Sequence, residues 1–417
     1  MITACGLDFG TSNSAIGVVR GGVAELAALE SGQPLFPSAV FFDFEENRPH
    51  FGADAIQTYM SDAEGRLMRA LKSILATRLI KESTFLKTRW VTLESVVALF
   101  VGEMKARAET HLGRPLEAVV HGRPVHFVDG DPAGDRFAED TLASIARQVG
   151  FREVSFQYEP LAAARAFEAR VTGETLALIC DLGGGTSDFS LIRLSPERRG
   201  QADRRDDILA SFGIRLGGTD LDRLLSLAVA MPALGLGSLL HNKNLPIPRS
   251  LYRDLADWPS INQLYTPATR RLLRELHEDA QEPEKLQRLR TVVEEQQGHR
   301  LALAVEDTKI ALSDAPVAPL DLDFIEAGLA VAADRDAFED AVAGERARLA
   351  QAVRETLDRA GLAPRQVDRV FLTGGSSRVP LLRKAIASVI PPDRFAGGDD
   401  LLSVALGLTE EAALRYR

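Results

Sequence analysis

The strongest constraint in this sequence is a strand–turn–strand pattern that occurs twice. ACGLDFGTSNSAIGVVR, residues 4–20, and LICDLGGGTSDFSLI, residues 178–192, each place an apolar strand, an Asp-x-Gly turn with hydroxyl side chains and a second apolar strand in the same order. Asp8 aligns with Asp181 at a separation of 173 residues, far longer than a solenoid period. The pattern indicates an internal duplication of one supersecondary unit.

A third glycine turn follows in VDRVFLTGGSSRVPLLRKAIASVI, residues 367–390, where an apolar strand enters Thr-Gly-Gly-Ser-Ser and a helix leaves. This order aims backbone N–H groups at an anion. Between the turns, apolar residues at helical spacing predict amphipathic helices over 134–149, 159–170, 302–314 and 336–360. Alternating strands and helices predict an α/β architecture.

The chain of 417 residues exceeds the size at which one core stops growing, so at least two lobes are expected. Residues 231–300 differ in composition from the rest of the sequence, because they contain a long charged helical run, RRLLRELHEDAQEPEKLQRLRTVVEEQQ. We interpret this segment as a peripheral helical subdomain. Its alternating charges are typical of a solvated face, with contact to a partner as the alternative.

Composition excludes several classes of function. The net charge of −10 offers no broad basic face, which argues against nucleic acid and anionic membranes as partners. Cys5 and Cys180 lie in apolar strands and are typical of core residues in a reducing compartment. The sequence has no leader-like N-terminus and no apolar run long enough to span a bilayer, so we expect a cytoplasmic protein. The seven histidines show no metal-ligand spacing and are expected to be structural or solvated.

The repeated turns combine carboxylates with bare backbone. Glycines 183 to 185 carry no Cβ to hold phosphate oxygens away, and the neighbouring Thr and Ser side chains add hydroxyl donors. Alone, Asp8, Asp181 and Asp188 would repel a phosphate, but with Mg²⁺ between them they would bind it. One such turn by itself is more often a tight hairpin whose Asp accepts backbone N–H bonds. Three turns in one chain favour a metal nucleotide.

Six segments, in order, resemble the nucleotide-binding domain of the DnaK-type heat shock protein 70 chaperones: GLDFGTSNS, YEPLAAARAF, CDLGGGTSDFS, LGGTDLD, EDTKIALS and LTGGSSRVP. The resemblance implies an actin-like ATPase fold with two lobes, each with an RNase-H-like core, closing on ATP or ADP with Mg²⁺. It places lobe I at residues 1–172 and 397–417. Lobe II then covers residues 173–396 and carries the helical subdomain.

The resemblance also implies roles for individual residues. The phosphate loops would be Gly10, Thr11, Ser12 and Asn13, and Gly183, Gly184, Gly185 and Thr186. The Mg²⁺ carboxylates would be Asp8, Asp181 and Asp188, and the residues of the hydrolysis step would be Lys72, Glu159, Thr186 and Asp181. The rest of the nucleotide site would comprise Gly217, Gly218, Glu306, Lys309, Ser313, Gly374, Gly375, Ser376 and Arg378. Glu306, Lys309 and Ser313 are spaced to share one helix face.

Two residues depart from the family pattern. Ile310 stands where the chaperones usually carry an arginine on adenine, and Tyr158 replaces a polar residue where co-chaperones are expected to act. The resemblance runs to the end of the sequence at Arg417, so we expect no peptide-binding domain, and in these features the chain resembles the short YegD-like branch. We therefore expect a slowly ATP-hydrolysing, chaperone-type switch read by another protein. A small-molecule kinase or a filament-forming actin relative on the same fold are the alternatives.

Overall fold

The computed structural model describes residues 2–61, 63–127, 130–168, 171–198, 201, 204–242, 244–396 and 402–416. The chain forms two compact units. Met1–Gly217, Leu349–Ser377 and Ala385–Arg417 make up what we call the large unit, and Gly218–Arg348 with Arg378–Lys384 make up the small unit. All three glycine turns lie in the large unit. The predicted lobe boundaries at 172/173 and 396/397 stay predictions, and residues 397–401 lie outside the described residues.

The strands of the described residues are β1 (Ala4–Asp8), β2 (Asn13–Arg20), β3 (Val23–Leu26), β4 (Phe36–Pro37), β5 (Ala39–Asp43), β6 (Arg48–Phe51), β7 (Gly65–Arg69), β8 (Ser83–Leu86), β9 (Arg89–Thr92), β10 (Ala118–Arg123), β11 (Glu153–Tyr158), β12 (Thr175–Leu182), β13 (Ser187–Leu194), β14 (Ile208–Ile214), β15 (Val317–Asp321), β16 (Ala330–Asp334) and β17 (Arg369–Thr373). The helices are α1 (Gly52–Met60), α2 (Leu93–Leu112), α3 (Pro132–Gln148), α4 (Glu159–Glu168), α5 (Gly218–Leu225), α6 (Met231–Ala233), α7 (Arg249–Ala256), α8 (Pro267–Glu278), α9 (Pro283–Glu294), α10 (Gly298–Asp314), α11 (Arg335–Ala341), α12 (Ala343–Arg359), α13 (Pro380–Ala387) and α14 (Ser403–Arg415).

The helices predicted from apolar spacing are present, with three differences in extent. α10 begins at Gly298, four residues before the predicted start at 302. α3 begins earlier than predicted because the Asp131 carboxylate accepts the N–H groups of Ala133 and Gly134, with Pro132 at the first helical position. The helix predicted over 336–360 is two helices, α11 and α12. They separate at Val342, whose φ of −107° and ψ of 14° leave helical geometry. Residues 169–170, the end of another predicted helix, lie outside the described residues.

The first sheet of the large unit has the order β11-β10-β1-β2-β3, with β4 pairing beside β2. β1, β2 and β3 form an antiparallel meander, and β10 and β11 extend the sheet in parallel to β1. β1 is apolar and buried on both faces, as expected for a strand covered by helices on either side.

The second sheet repeats this plan with the order β14-β13-β12-β17. β12, β13 and β14 are again an antiparallel meander, and β17 is parallel to β12. The predicted α/β class and the repeated strand–turn–strand units are therefore confirmed. The sequence did not predict that β10 and β17 occupy equivalent places beside β1 and β12.

Two apolar cores hold the large unit together. In one, Phe100 of α2 stacks on Phe36 with ring centroids 5.4 Å apart and lies 5.8 Å from the Phe9 ring. In the other, Phe167 of α4 stacks on Phe371 of β17 at 4.1 Å. Residues of both sheets belong to this second core, together with apolar residues of α4 and α14. The two repeated turns are thus carried on one continuous packed body.

Helix α14 lies against a pair of glycines in the first sheet. Gly6 and Gly17 face each other across β1 and β2. A Cβ on Gly6 would stand 2.3 Å from the backbone nitrogen of Thr409, and one on Gly17 would stand 1.8 Å from its Oγ1. Because no real Cβ tolerates such distances, the absence of side chains here lets the helix contact the sheet backbone.

The small unit contains the β15–β16 hairpin and a set of helices. Residues 231–300 hold α6, α7, α8 and α9 and the start of α10, so the segment is helical as predicted. Charged residues of α8 and α9 are mostly exposed, while Leu273, Leu286 and Val292 are buried. A solvated face with an apolar stripe accounts for the alternating charges.

Candidate nucleotide site

The first glycine turn joins β1, which ends at Asp8, to β2, which begins at Asn13. A Cβ on Gly10 would lie 2.0 Å from the Asn13 carbonyl oxygen, so only glycine fits. The Gly10 N–H donates to Ser14 Oγ at 3.2 Å, and Ser38 Oγ donates to the Gly10 carbonyl at 2.8 Å. The two serine hydroxyls also bond to each other at 2.9 Å. Ser14 and Ser38 therefore fix the turn.

The second glycine turn joins β12 to β13 and places two acids side by side. Asp181 pairs directly with Asp188 across the strands. The Gly183 N–H donates to the Thr186 carbonyl at 2.9 Å, which closes the turn. Thr186 Oγ1 donates to Asp188 Oδ2 at 3.0 Å, and Ser376 Oγ of the third turn donates to the Gly183 carbonyl at 2.8 Å. The third turn is thus fastened to the second.

The three turns approach one another at backbone distance. A Cβ on Gly184 would lie 2.0 Å from Ser12 Oγ, and a Cβ on Gly217 would lie 2.4 Å from the Gly184 carbonyl carbon. Gly374 has a φ of +82°, and a Cβ there would lie 2.7 Å from Asp181 Oδ1. A Cβ on Gly185 would lie at an ordinary 3.6 Å from Thr11 Cγ2, so the predicted phosphate loops are brought together within the large unit.

Lys72 and Glu159 form an ion pair in the same unit. Lys72 Nζ donates to Glu159 Oε1 at 2.7 Å, with 16% and 8% of the two side chains exposed. Lys72 lies in a short 3₁₀ turn that starts after Ala70, whose φ is +56°, and Glu159 is the first residue of α4. Burial acts to lower the pKa of Lys72, but the carboxylates of Glu159 and Asp8 outweigh it, and the pKa is raised. The lysine is a buried, charged group.

The carboxylates beside the glycine turns carry more negative charge than Lys72 neutralises. Burial, reinforced by Glu159 and Asp181, raises the pKa of Asp8 to about 7. Burial and Glu159 raise the pKa of Asp181 to about 6, and burial with Asp181 raises the pKa of Asp188 to about 7. Lys72 acts in the opposite direction on all three. Clustered groups with perturbed pKa values are typical of functional sites.

His121, which the sequence did not single out, lies beside this cluster. The imidazole is buried, with Nδ1 2.7 Å from the Gly122 carbonyl, and Nε2 has no hydrogen-bond partner among the described residues. Burial, with a smaller contribution from the charge of Lys72, lowers its pKa to about 4. The ring is neutral at physiological pH. His121 does not belong to a glycine turn, and neither does Ser38, which donates to the Gly10 carbonyl. No sequence signal connects either residue to the site.

The remaining predicted residues divide between the units. Gly374, Gly375 and Ser376 lie in the large unit, and Gly218, Glu306, Lys309, Ser313 and Arg378 lie in the small unit. Within the small unit, Lys309 Nζ is 2.7 Å from Asp222 Oδ1 and 3.3 Å from the Gly218 carbonyl. The structure therefore joins Lys309 to α5. Glu306 and Ser313 lie on the same face of α10 and are partly buried, while Ile310 is 56% exposed.

No helix in the described ranges is both long and apolar enough to cross a bilayer. The sequence matches the family model described as Hsp70 protein over residues 4–230 and 270–413. This match covers most of the chain and includes all the site residues described above. Residues 231–269, from the charged helical segment, fall outside it. The chain belongs to the Hsp70 family of chaperone-type, ATP-binding proteins, whose actin-like ATPase fold its two repeated sheets exhibit.

Proposed function

We propose that this chain binds ATP and ADP together with Mg²⁺, hydrolyses ATP slowly and acts as a nucleotide-driven switch read by a partner protein. The observation that carries the proposal is the meeting of the first two glycine turns beside the Lys72–Glu159 pair and the carboxylates of Asp8, Asp181 and Asp188. Glycine turns favour phosphate oxygens, and clustered carboxylates favour a hard divalent cation.

The charge of the cluster fits Mg²⁺. Three aspartates and Glu159 face one lysine, and each aspartate has a raised pKa because the charged form is disfavoured there. Asp8, Asp181 and Asp188 would hold the ion, with water as the other ligands. When bound, Mg²⁺ supplies charge neutralisation for the phosphates.

The protein's own residues account for positioning. The backbone of residues 10–13 and 183–186 would hold the phosphate oxygens, and the Ser38 and Ser376 hydroxyls keep those turns in place. Lys72, oriented by Glu159, would place a positive charge against the terminal phosphate and the attacking water. Phosphoryl transfer to water depends on such positioning and on charge stabilisation more than on covalent chemistry. Thr186, held by Asp188, is the candidate for orienting the water.

The adenosine would be held by the residues that the resemblance names: Gly217, Gly218, Glu306, Lys309, Ser313, Gly374, Gly375, Ser376 and Arg378. Ile310 offers the base an apolar contact in place of a guanidinium plane, so weaker discrimination between bases is expected. We include two further points in this proposal. A partner protein binds in a nucleotide-dependent way, and the chain belongs to the YegD-like branch, as Ile310 and Tyr158 suggest.

The deciding experiment is calorimetric titration with ATP and ADP, with and without Mg²⁺, combined with single-turnover phosphate release. Lys72→Ala is expected to slow phosphate release by about a hundredfold, since one lost electrostatic donor typically costs that much. Lys81→Ala is the matched control, because Lys81 is an exposed lysine paired with Glu94. Failure of wild-type protein to bind either nucleotide would overturn the proposal.

The same preparations separate the alternatives. A kinase would release little phosphate without an added acceptor, whereas a switch hydrolyses ATP alone. A filament former would show ATP-dependent light scattering above a critical concentration. For the switch, we expect the proteolytic pattern to change with the bound nucleotide. We expect no ATP-dependent light scattering and no need for an added phosphate acceptor.

A further inference from the structure

The β5–β6 hairpin of the large unit carries a group of potential metal ligands away from the nucleotide site. One ligand atom each from Asp43, Glu46 and His50 lies within 4.8 Å of the other two. Asp43 ends β5, Glu46 lies in the turn and His50 is on β6. Asp43 pairs with Arg48 and Phe41 pairs with His50, so Asp43 and His50 are diagonal neighbours on one face of the hairpin. The register itself brings them together.

His50 points an unsatisfied nitrogen into this group. The residue is 4% exposed, and its Nε2 is buried without a hydrogen-bond partner among the described residues. Nε2 lies 3.8 Å from Asp43 Oδ2 and 3.7 Å from Glu46 Oε2. These distances exceed those of a hydrogen bond. A buried polar atom without a partner costs free energy, so the arrangement lacks a component.

The other ring nitrogen identifies what is lacking. His50 Nδ1 lies 2.7 Å from Asp54 Oδ2 and 3.2 Å from Thr58 Oγ1. An ionised carboxylate only accepts, so Nδ1 carries a proton toward Asp54. When the ring is neutral its lone pair is then on Nε2, which faces two carboxylates at distances too long for a hydrogen bond. Three acceptors aimed at one point are stabilised by a cation.

The carboxylates are arranged for the same purpose. Asp43 Oδ1 accepts the N–H groups of Glu45 and Glu46 at 2.7 Å each, which leaves Oδ2 toward His50. Glu46 is half exposed, which gives its side chain room to adjust, and its Oε2 also accepts from the exposed Arg48 Nε at 2.5 Å. Ligand atoms about 2 Å from one ion lie at most about 4 Å apart, which the two histidine–carboxylate distances satisfy.

We propose that Asp43, Glu46 and His50 form a binding site for a divalent transition-metal ion, with Zn²⁺ as the best fit. Imidazole nitrogen with carboxylate oxygen suits zinc and its neighbours better than Mg²⁺ or Ca²⁺. The Asp54 carboxylate on Nδ1 is the outer partner that metal-bound histidines usually have. Three protein ligands leave one position for water. A bound ion would fasten the turn of the hairpin to both strands.

The expectation that all histidines are structural or solvated is therefore revised for His50. The ligands come from two strands and the turn between them, so a search for ligand spacing on one helix face does not find them.

The test is competition between the full chain and a chromophoric chelator for Zn²⁺, in excess Mg²⁺ to occupy the carboxylates of the nucleotide site. We expect one Zn²⁺ per chain, at least tenfold weaker binding in Glu46→Gln and loss of binding in His50→Gln. Asp54→Asn should weaken binding by about 10–100-fold. Zn²⁺ should also raise the melting temperature of wild type, since it binds only the folded state, and should raise that of Glu46→Gln by less at the same Zn²⁺ concentration.

Two control variants test whether Zn²⁺ binding is specific to Asp43, Glu46 and His50. His126→Gln removes a histidine that also lies near a carboxylate, Asp135, without a third ligand among the residues that the structure describes, and should bind Zn²⁺ as wild type does. Asp181→Asn alters the nucleotide site and should also leave binding unchanged. Equal binding by wild type, Glu46→Gln and His50→Gln would overturn the proposal, as would loss of binding in Asp181→Asn alone. Because Glu46 is exposed, its variant remains informative if His50→Gln fails to fold.

Discussion

The two strand–turn–strand units share their scaffold closely. With an offset of 173 residues, Asp8 corresponds to Asp181 and Gly10 to Gly183. In each unit the carbonyl of that glycine accepts a hydroxyl from a distant serine at 2.8 Å, Ser38 in the first and Ser376 in the second. The likeness thus extends from strand order to a single hydrogen bond, although the two serines come from unrelated parts of the chain.

The units differ in charge and in packing. Ala15, buried opposite Asp8, corresponds to Asp188, which faces Asp181. The glycine pair under α14 corresponds to Ile179 and Ser190, which face each other in the second unit. The difference teaches that the shared backbone fixes where the turns lie, whereas the side chains assign each unit a task. The second unit carries the additional aspartate, Asp188. The first unit has glycines, Gly6 and Gly17, where the second has side chains, and this lets α14 approach the sheet.

Gly6→Ala is expected to produce the largest effect, because it removes the packing feature that distinguishes the first unit. The new Cβ would meet the Thr409 backbone, which cannot move without displacing α14. A loss of about 3 kcal/mol or more in the free energy of unfolding is expected. Gly102→Ala is the control, since its Cβ would find Val149 at an ordinary 3.5 Å and helix propensity favours alanine. Urea titrations of both variants measure the contrast, and equal stability would contradict it.

Asp188→Asn makes the second unit less acidic, like the first. In the folded state the pKa of Asp8 and of Asp188 is about 7, against an ordinary value of 3.8. The folded protein therefore binds more protons between about pH 4 and pH 7, and without metal its free energy of unfolding falls as pH rises through that range. Asp188→Asn should flatten this fall and add about 1–2 kcal/mol at pH 8.

The measurement for Asp188→Asn is a series of urea titrations in chelator at several pH values. Asp206→Asn, at an exposed acid of the large unit outside the second strand–turn–strand unit, should leave the slope unchanged. Mg²⁺-dependent nucleotide affinity should fall in Asp188→Asn alone. A pH profile identical to that of wild type would show that the acids of the second unit are not repelling one another.

Thr186→Ala tests whether the second turn has a chemical task that the first lacks, since its counterpart is Asn13. Thr186 bonds to Asp188 and is exposed at the turn, so it is placed to orient water. Single-turnover phosphate release should fall by about tenfold or more while ATP affinity stays within about twofold. Thr175→Ala, at a partly buried threonine of β12, is the control. Unchanged turnover would remove Thr186 from the mechanism.

Ser38→Ala and Ser376→Ala test the feature that the units share, and the smallest effect is expected here. Each variant leaves one glycine carbonyl without its hydroxyl donor, which should cost about 1 kcal/mol. Because the two serines share no partner, the double variant should lose about the sum. Thermal unfolding of the four proteins forms a double-mutant cycle. A large departure from additivity would indicate that the turns respond as one element.

Much of the fold could be predicted from sequence because its signals are local. Strand periodicity, the Asp-x-Gly turns and the helix spacing all depend on neighbouring residues, and α3, α4 and α10 overlap their predicted ranges, although α3 and α10 begin earlier. The break between α11 and α12 could not be predicted, since Val342 continues the apolar spacing and only its backbone angles depart from the helix. Propensity is a weak guide to such single-residue interruptions.

The site divides in the same way. Asp8, Asp181 and the glycines were predictable, because each lies in a turn whose sequence is itself the signal. Ser38, His121 and the metal-binding group at His50 were not, because strand pairing and long-range packing bring them to their partners. Lys72 is intermediate, since its ion pair with Glu159 spans 87 residues and the resemblance alone indicated it.

The packing of α14 against Gly6 and Gly17 has a consequence for how the protein folds during its synthesis. Of the described elements, β1 and β2 are the first to leave the ribosome and α14 is the last. Until it emerges, the glycine groove lies open to water and the first sheet lacks one of its covering layers. Closing so long a loop is slow compared with local pairing. Among the described elements, the first sheet is therefore the part that waits longest for its final partner.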